Sequence, residues 1–299
     1  MDFSIENNYL LCAMIMNFLH KSISLGICIV FSGTYIFAQS ALIYNMASGF
    51  IDYEGRIIVG EGKAMVRLSE NGTASPNDKE IKFAQALAKK KARENISQLV
   101  KQVNYNGITL EEFMQYDPIV EKQIASYISS AFQYSEVEIL NNGHIQVEMA
   151  ISMIGLSDIV FPSVGFAIEA PKNVQYLMTK SLIPKTNRIT GIIIDARNTS
   201  IKPALAPRIV DENGNPIYGM NSLTRSNAIN KGLVAYASSL GLTKQEKRVG
   251  NNPIIIKALN QDIFGSTNPV VSLNASAKLK SANKSFHLFD DCKVLILVD

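Results

Sequence analysis

Tryptophan is absent from this 299-residue chain, and cysteine and histidine occur three times each. Soft ligands this scarce argue against a structural zinc module, which needs clustered Cys and His. They also argue against a small fold stapled by disulfides. An excess of one charge sign is lacking too. The 29 basic residues face 26 acidic ones, a formal net charge of +3, which speaks against a dedicated nucleic-acid binder. The apolar run that ends at Ala38 is shorter than the ~20 residues that span a bilayer. What is present is a globular composition, 47% hydrophobic and 18% charged, far from that of a disordered or fibrous chain. The length is that of about two domains of roughly 150 residues.

Residues 16–38, MNFLHKSISLGICIVFSGTYIFA, have the secretory pattern. Lys21 supplies a positive start, Ser22 to Ala38 carry no charge, and the small Ala38 precedes Gln39. The expectation is a signal peptide over 1–38 with Met16 as the start and cleavage between Ala38 and Gln39. An uncleaved N-terminal anchor is the weaker alternative. Cys28 lies inside the apolar run behind the bulky Ile27, so it reads as part of that run and not as a lipidated cysteine. Cleavage would leave Cys292 alone, with no internal disulfide.

Residues 39–54 read as a linker. Residues 55–68 alternate, with Ile58, Ala64, Val66 and Leu68 on one parity, and predict a strand. Ser75, Pro76 and Asp78 announce a helix running to about Val103, with Ile81, Ala84, Ala88, Ala92, Ile96, Leu99 and Val103 as its buried stripe. Thr109 with Glu112 is a capping box opening a short helix. Asp117-Pro118 opens another, with Ile119, Val120, Ile124, Tyr127 and Ile128 inward. The period then becomes two: Phe132, Tyr134 and, after a phase shift, Val137 and Ile139. An Asn142-Gly143 turn follows, then Ile145, Val147, Met149, Ile151 and Met153. Residues 156–188, with three prolines, read as a connector with a helix near 172–182. Strands are expected at 191–196, at 207–219 around Asn213-Gly214, at 253–259 and at 293–298, with a helix over 273–284 capped by Asn268 or Ser272. The predicted fold class is α+β. A two-layer helix-on-antiparallel-sheet domain over 55–155 precedes a smaller mixed α/β domain over 189–299.

No constellation points to catalysis, a cofactor or a metal. Gly60-Glu61-Gly62 sits inside an alternating strand and reads as strand glycines, since a phosphate loop needs a helix starting there. His144 and His287 lack nearby ligands, and Asp211-Glu212-Asn213-Gly214-Asn215 reads as a turn and not a calcium loop. No Gly-x-Ser-x-Gly elbow occurs. Two charged groups stand out. Lys89, Lys90, Lys91 and Arg93 read as a solvated helix face, or as a contact face for an acidic partner or anionic lipid. Asp195, Arg197, Lys202, Arg208 and Asp211 read as an ion-pair network at a sheet end. The alternative is a small polar ligand or peptide site lined by Asp195, Arg197 and Arg208.

The first strand, the helix FAQALAKKKARENISQLVKQV (83–103) and the hairpin ending VEMAI (147–151) resemble the bacterial envelope family named after the small lipoprotein LPP-twenty. Flagellar FlgP and the N-terminal domain of FlgT are similar. The segments 191–219 and 252–260 look like motifs of a domain that follows in exported members. The resemblance implies a non-enzymatic component of the periplasm or outer-membrane periphery of a bacterium. Its implied partners are envelope or flagellar proteins, or further copies of itself, with membrane contact left open and nucleic acid excluded. No catalytic residues come with it. This chain lacks the lipoprotein cysteine, which counts against direct acyl anchoring. The reading of function is therefore a structural or assembly protein, flagellar or outer-membrane-associated, with a periplasmic small-ligand or peptidoglycan-binding module as the alternative.

Overall fold

In the computed structural model the described residues are 42–66, 78–141, 143–168, 188–240, 246–260 and 265–299. The leader expected at 1–38 with its expected Ala38/Gln39 junction, the Ser75-Pro76 start signal, Asn142 and the helix expected at 172–182 lie outside them. The fold is α+β, an antiparallel sheet layered with helices followed by a smaller mixed α/β part.

The first sheet contains six strands. A hairpin of β1 (Ile43–Met46) and β2 (Gly49–Asp52) leads into β3 (Ile57–Met65), which pairs antiparallel with β6 (His144–Ser152) along its whole length. Residues 39–54, expected as a linker, thus contribute two strands. Short β4 (Phe132–Gln133) and β5 (Glu138–Ile139) pair with the other edge of β6. The break between them matches the phase shift in the sequence.

Helix α1 (Asp78–Lys101) lies on one face of this sheet and buries Ala84, Ala88, Ala92, Ile96, Leu99 and Val100. It ends two residues before Val103, because Gln102 and Val103 donate to the carbonyls of Leu99 and Val100 and tighten the last turn. The capping box of Thr109 and Glu112 starts α2 (Leu110–Tyr116), and Asp117 accepts from the amides of Ile119 and Val120 to start α3 (Pro118–Ser129). Val120, Ile124 and Ile128 are buried, but Ile119, expected inward, is 70% exposed. It stands about 100° round the helix from Val120. Helix α4 (Met153–Val160), capped by Ser152, starts directly after β6. Its first turn continues the strand's apolar run, so the sequence does not show where one element becomes the other.

In the C-terminal part β7 (Gly191–Asp195) pairs in parallel with β11 (Pro253–Lys257) and β13 (Val294–Leu297), and β13 with β10 (Ala235–Ala237). Strands β7 and β13 are buried on both faces, as their unbroken apolar runs require. Ile192, Ile194, Val294 and Ile296 join the main core. Ile193, Leu295 and Leu297 face the other way, toward Val249 of α6 (Glu246–Val249). A separate sheet holds β8 (Ile209–Asp211), β9 (Pro216–Tyr218) and β12 (Val270–Val271). Helices α5 (Arg225–Lys231) and α7 (Leu273–Phe286) complete it, the latter capped by Ser272 and not Asn268.

One buried cluster runs through residues of both parts, and polar clamps stitch them together. Arg225 donates to the Asp158 carboxylate and to the carbonyls of Asp158, Phe161 and Pro162. Arg56 donates to the carbonyls of Ile229 and Asn230.

Candidate functional site

The hairpin that the sequence reading passes over forms a wall of a pocket. Alternation on β1 and β2 places Tyr44 and Met46 on the face of Ile51, in register with it and with Gly49. That face turns toward the end of α1. There Asn104 bridges to Thr109 and closes the chain reversal before α2. The Asn104 side-chain amide donates to the Pro203 carbonyl at 3.0 Å, and the Asn104 backbone carbonyl accepts from the Leu205 amide at 2.9 Å. These bonds clip loop 201–206 against the helix end. The result is a pocket of about 380 Å³ lined by Tyr44, Met46, Ile51, Tyr53, Lys101, Gln102, Asn104, Thr109, Glu111, Lys202 and Pro203.

The aromatic wall is braced. The Tyr53 ring meets Tyr44 edge-on at 5.7 Å and Tyr236 at 6.0 Å. Burial pushes both Tyr44 and Tyr53 phenols above the ordinary tyrosine range; the charge of Asp299 adds to the shift at Tyr44, and a backbone hydrogen bond at Asn104 opposes it at Tyr53. Both stay neutral at physiological pH. Lys101 reaches Glu111 at 3.7 Å. Lys202 is exposed, and no described carboxylate pairs with it. Rings, amides, a hydroxyl and ammonium groups are the kinds of group that line small-molecule pockets.

The five charged residues expected around one site do not converge. Asp195 and Arg197 form a two-pronged pair, Nε to Oδ1 at 2.8 Å and Nη2 to Oδ2 at 2.7 Å. Asp211 is buried and turned on its own loop, where its Oδ1 accepts from the amides of Asn213 and Asn215 and from the Asn215 side chain. Burial pushes the Asp211 carboxyl up, but the bonds from Asn215 and Asn213 with the charge of Lys280 outweigh it and hold it low. The Arg208 amide donates to Asn268, and its stem lies along Gly219. Of the five, Lys202 lines the pocket. Closeness in sequence misleads here because β7 and β8 belong to different sheets.

The Asp195 carboxyl is held below the usual range, chiefly by the Arg197 hydrogen bond and against a desolvation penalty. A depressed native value gives stability that is complete above the unfolded value and is lost as pH falls through the native one. Thermal unfolding of the wild type and Asp195→Asn should therefore differ fully above pH 3.8 and converge as the pH falls further, through the lower native value. A gap that persists unchanged into strong acid would show that the charge is not what matters.

The basic run also divides. Lys90 and Lys91 are exposed, whereas Lys89 and Arg93 are half-buried on the flank of α1. Lys90 lies 3.9 Å from Glu94 one turn on, a solvated pair of small energetic consequence. Phe83 and Leu87 are exposed on the same helix. Gly60 and Gly62 sit under α1, where each added Cβ would meet the helix backbone. That contact accounts for the strand glycines.

The sequence reading missed Tyr44 and Tyr53. Their signal was present as alternation through IYNM and GFID around an Ala47-Ser48 turn, but each run is four residues and carries little weight alone. Among the described residues no group of metal-ligating side chains converges and no helix is long and apolar enough to cross a membrane.

Residues 191–299 match the family model of the second domain of Treponema pallidum Tp0624. This part of the chain is similar to that domain, and the match takes in β7 through β13 and the partners of Asp195. Comparison with curated proteins gave no match.

Proposed function

We propose that this is an exported cell-envelope protein that acts by protein–protein contact and not by catalysis. The outer face of the six-stranded sheet carries the reading. Strand register sets Phe50, Val59, Ala150 and Phe132 in one row across β2, β3, β6 and β4, on the face opposite α1. Tyr134 meets Phe50 at 6.0 Å. Val59 and Ala150 are buried beneath these rings, yet Phe132 is 51% and Tyr134 47% exposed. Aromatic side chains grouped on an open sheet face mark a contact surface. The leader-like segment and the envelope-family resemblance of residues 55–153 support export and an envelope setting. Envelope or flagellar proteins, or a second copy of the chain, are the partner classes.

Crosslinking of the tagged protein in whole envelopes, followed by mass spectrometry, tests this. The expected result is a defined envelope partner whose recovery falls about tenfold with the double change Phe132→Ser and Tyr134→Ser. A strictly monomeric protein that captures no partner would overturn it. A second reading, a small-ligand module, is favoured by the pocket beside Tyr44.

A further inference from the structure

We infer that the pocket between the β1–β2 hairpin and loop 201–206 binds a small carboxylate carried on a ring, either a sugar acid or an aromatic acid. The inference rests on the small-ligand reading and names the class of ligand.

Charge selects the carboxylate. The lining holds two ammonium groups, Lys101 and Lys202, against the single lining carboxylate of Glu111, with Asp299 outside the lining but near enough for its charge to act on Tyr44. Lys101 is 3.7 Å from Glu111, too far for a good charge-assisted hydrogen bond. Lys202 meets no described carboxylate, and its described hydrogen bond is made by the backbone amide, to Ser266. A ligand carboxylate at the mouth supplies the missing counter-charge.

Shape selects the ring. Tyr44 stands half-exposed against the buried Tyr53, and about 380 Å³ is room for a monocyclic ligand. The site is also formed in advance. Tyr236, which braces Tyr53, accepts from the Ala204 amide at 3.0 Å and donates to the Ala204 carbonyl at 3.2 Å. The ring that supports the aromatic wall therefore also holds the loop carrying Lys202. The wall and the backbone that carries Lys202 keep a set spacing without a ligand, which spares part of the entropic cost of assembling the site on binding.

The test is isothermal titration calorimetry of the full chain with glucuronate and benzoate, alongside their neutral counterparts glucose and benzyl alcohol. At least one acid is expected to bind with a Kd below about 1 mM. Its neutral counterpart should bind at least about tenfold more weakly, and affinity should fall with added salt. Preference for glucuronate identifies a sugar acid, and preference for benzoate an aromatic one. Lys202→Gln and Tyr44→Ala should each weaken binding about tenfold; thermal unfolding should be unchanged in Lys202→Gln, whose side chain is exposed, and slightly lowered in Tyr44→Ala, which loses the edge contact with Tyr53. Equal binding of acid and neutral compound, or indifference to Lys202→Gln, overturns the assignment while the small-ligand reading stands. No heat from any of the four compounds at about 10 mM overturns both.

Discussion

Gly62→Ala is expected to destabilise the protein by about 3 kcal/mol, although alanine in a strand is ordinarily better than glycine by up to about 1 kcal/mol. The reason is the approach of α1 to β3. A Cβ on residue 62 would fall on the Ala88 carbonyl and lie 2.6 Å from the Ala92 amide nitrogen. One pleat along, a Cβ on Gly60 would fall on the Ala92 carbonyl, 2.9 Å from the Ile96 nitrogen. These atoms belong to a helix backbone and cannot swing aside as a side-chain tip would. The helix is also tied down, since Asn95 donates to the Glu61 carbonyl at 2.6 Å. The new methyl must lift α1 from the sheet and loosen the packing of Ile58, Ile96 and Leu99, all fully buried. Urea unfolding followed by circular dichroism reads the effect as a lower midpoint. A midpoint unchanged or raised would mean that helix and strand do not approach this closely.

The second large effect is expected at Arg248, where replacement by Met should cost about 4 kcal/mol. Its guanidinium sits at the C-terminal end of α5 and donates to the carbonyls of Lys231, Gly232, Leu233 and Cys292. Arg56 adds bonds to Asn230 and Ile229 just inside the same end. Two cations converge there because the last carbonyls of a helix are unpaired and carry partial negative charge. Burial, and then the charge of Arg248, push Arg56 down to about 10. Burial likewise lowers Arg248. Arg56 thus still carries its charge at neutral pH. Methionine keeps much of the arginine's apolar stem but takes the donor from the carbonyls of Lys231, Gly232 and Cys292, while the Tyr218 hydroxyl still serves Leu233. Each charge-assisted bond is worth about 1.5–3 kcal/mol. Water reaching the half-exposed edge recovers part of the sum. Arg248→Lys should fall close to the methionine variant in thermal unfolding, because one ammonium cannot span carbonyls that a planar fork reaches together. A lysine variant as stable as the wild type would show that charge alone suffices.

The α+β class and most long elements could be read directly from residue patterns. The stripe Ala84, Ala88, Ala92, Ile96 and Leu99 is buried as its spacing requires. So are Ile145, Val147, Met149, Ile151 and Met153. The capping box at Thr109 and Glu112 forms, and Gly143 takes the positive φ of its turn. Each of these depends on interactions within one element, or between a side chain and backbone three or four residues away. Alternation and capping therefore carry that information intact.

What escaped the sequence was long-range. Four-residue β1 and β2 are stable because β3 continues their sheet and α1 covers it. Their alternation is too short to stand out, and the residues passed for a linker. The charges at 195–211 group by their nearness in sequence, but the chain leaves one sheet and enters another between Asp195 and Ile209. The pocket gathers a hairpin near the start of the described chain, the end of α1 and a loop from the C-terminal part. No local pattern encodes that meeting. The sequence by itself determined which faces of its helices and strands must be buried, because that follows from the period of each element. Tertiary packing alone decided which of those faces meet, and so where Tyr44, Lys101 and Lys202 come together, because that choice rests on contacts between residues far apart in the chain.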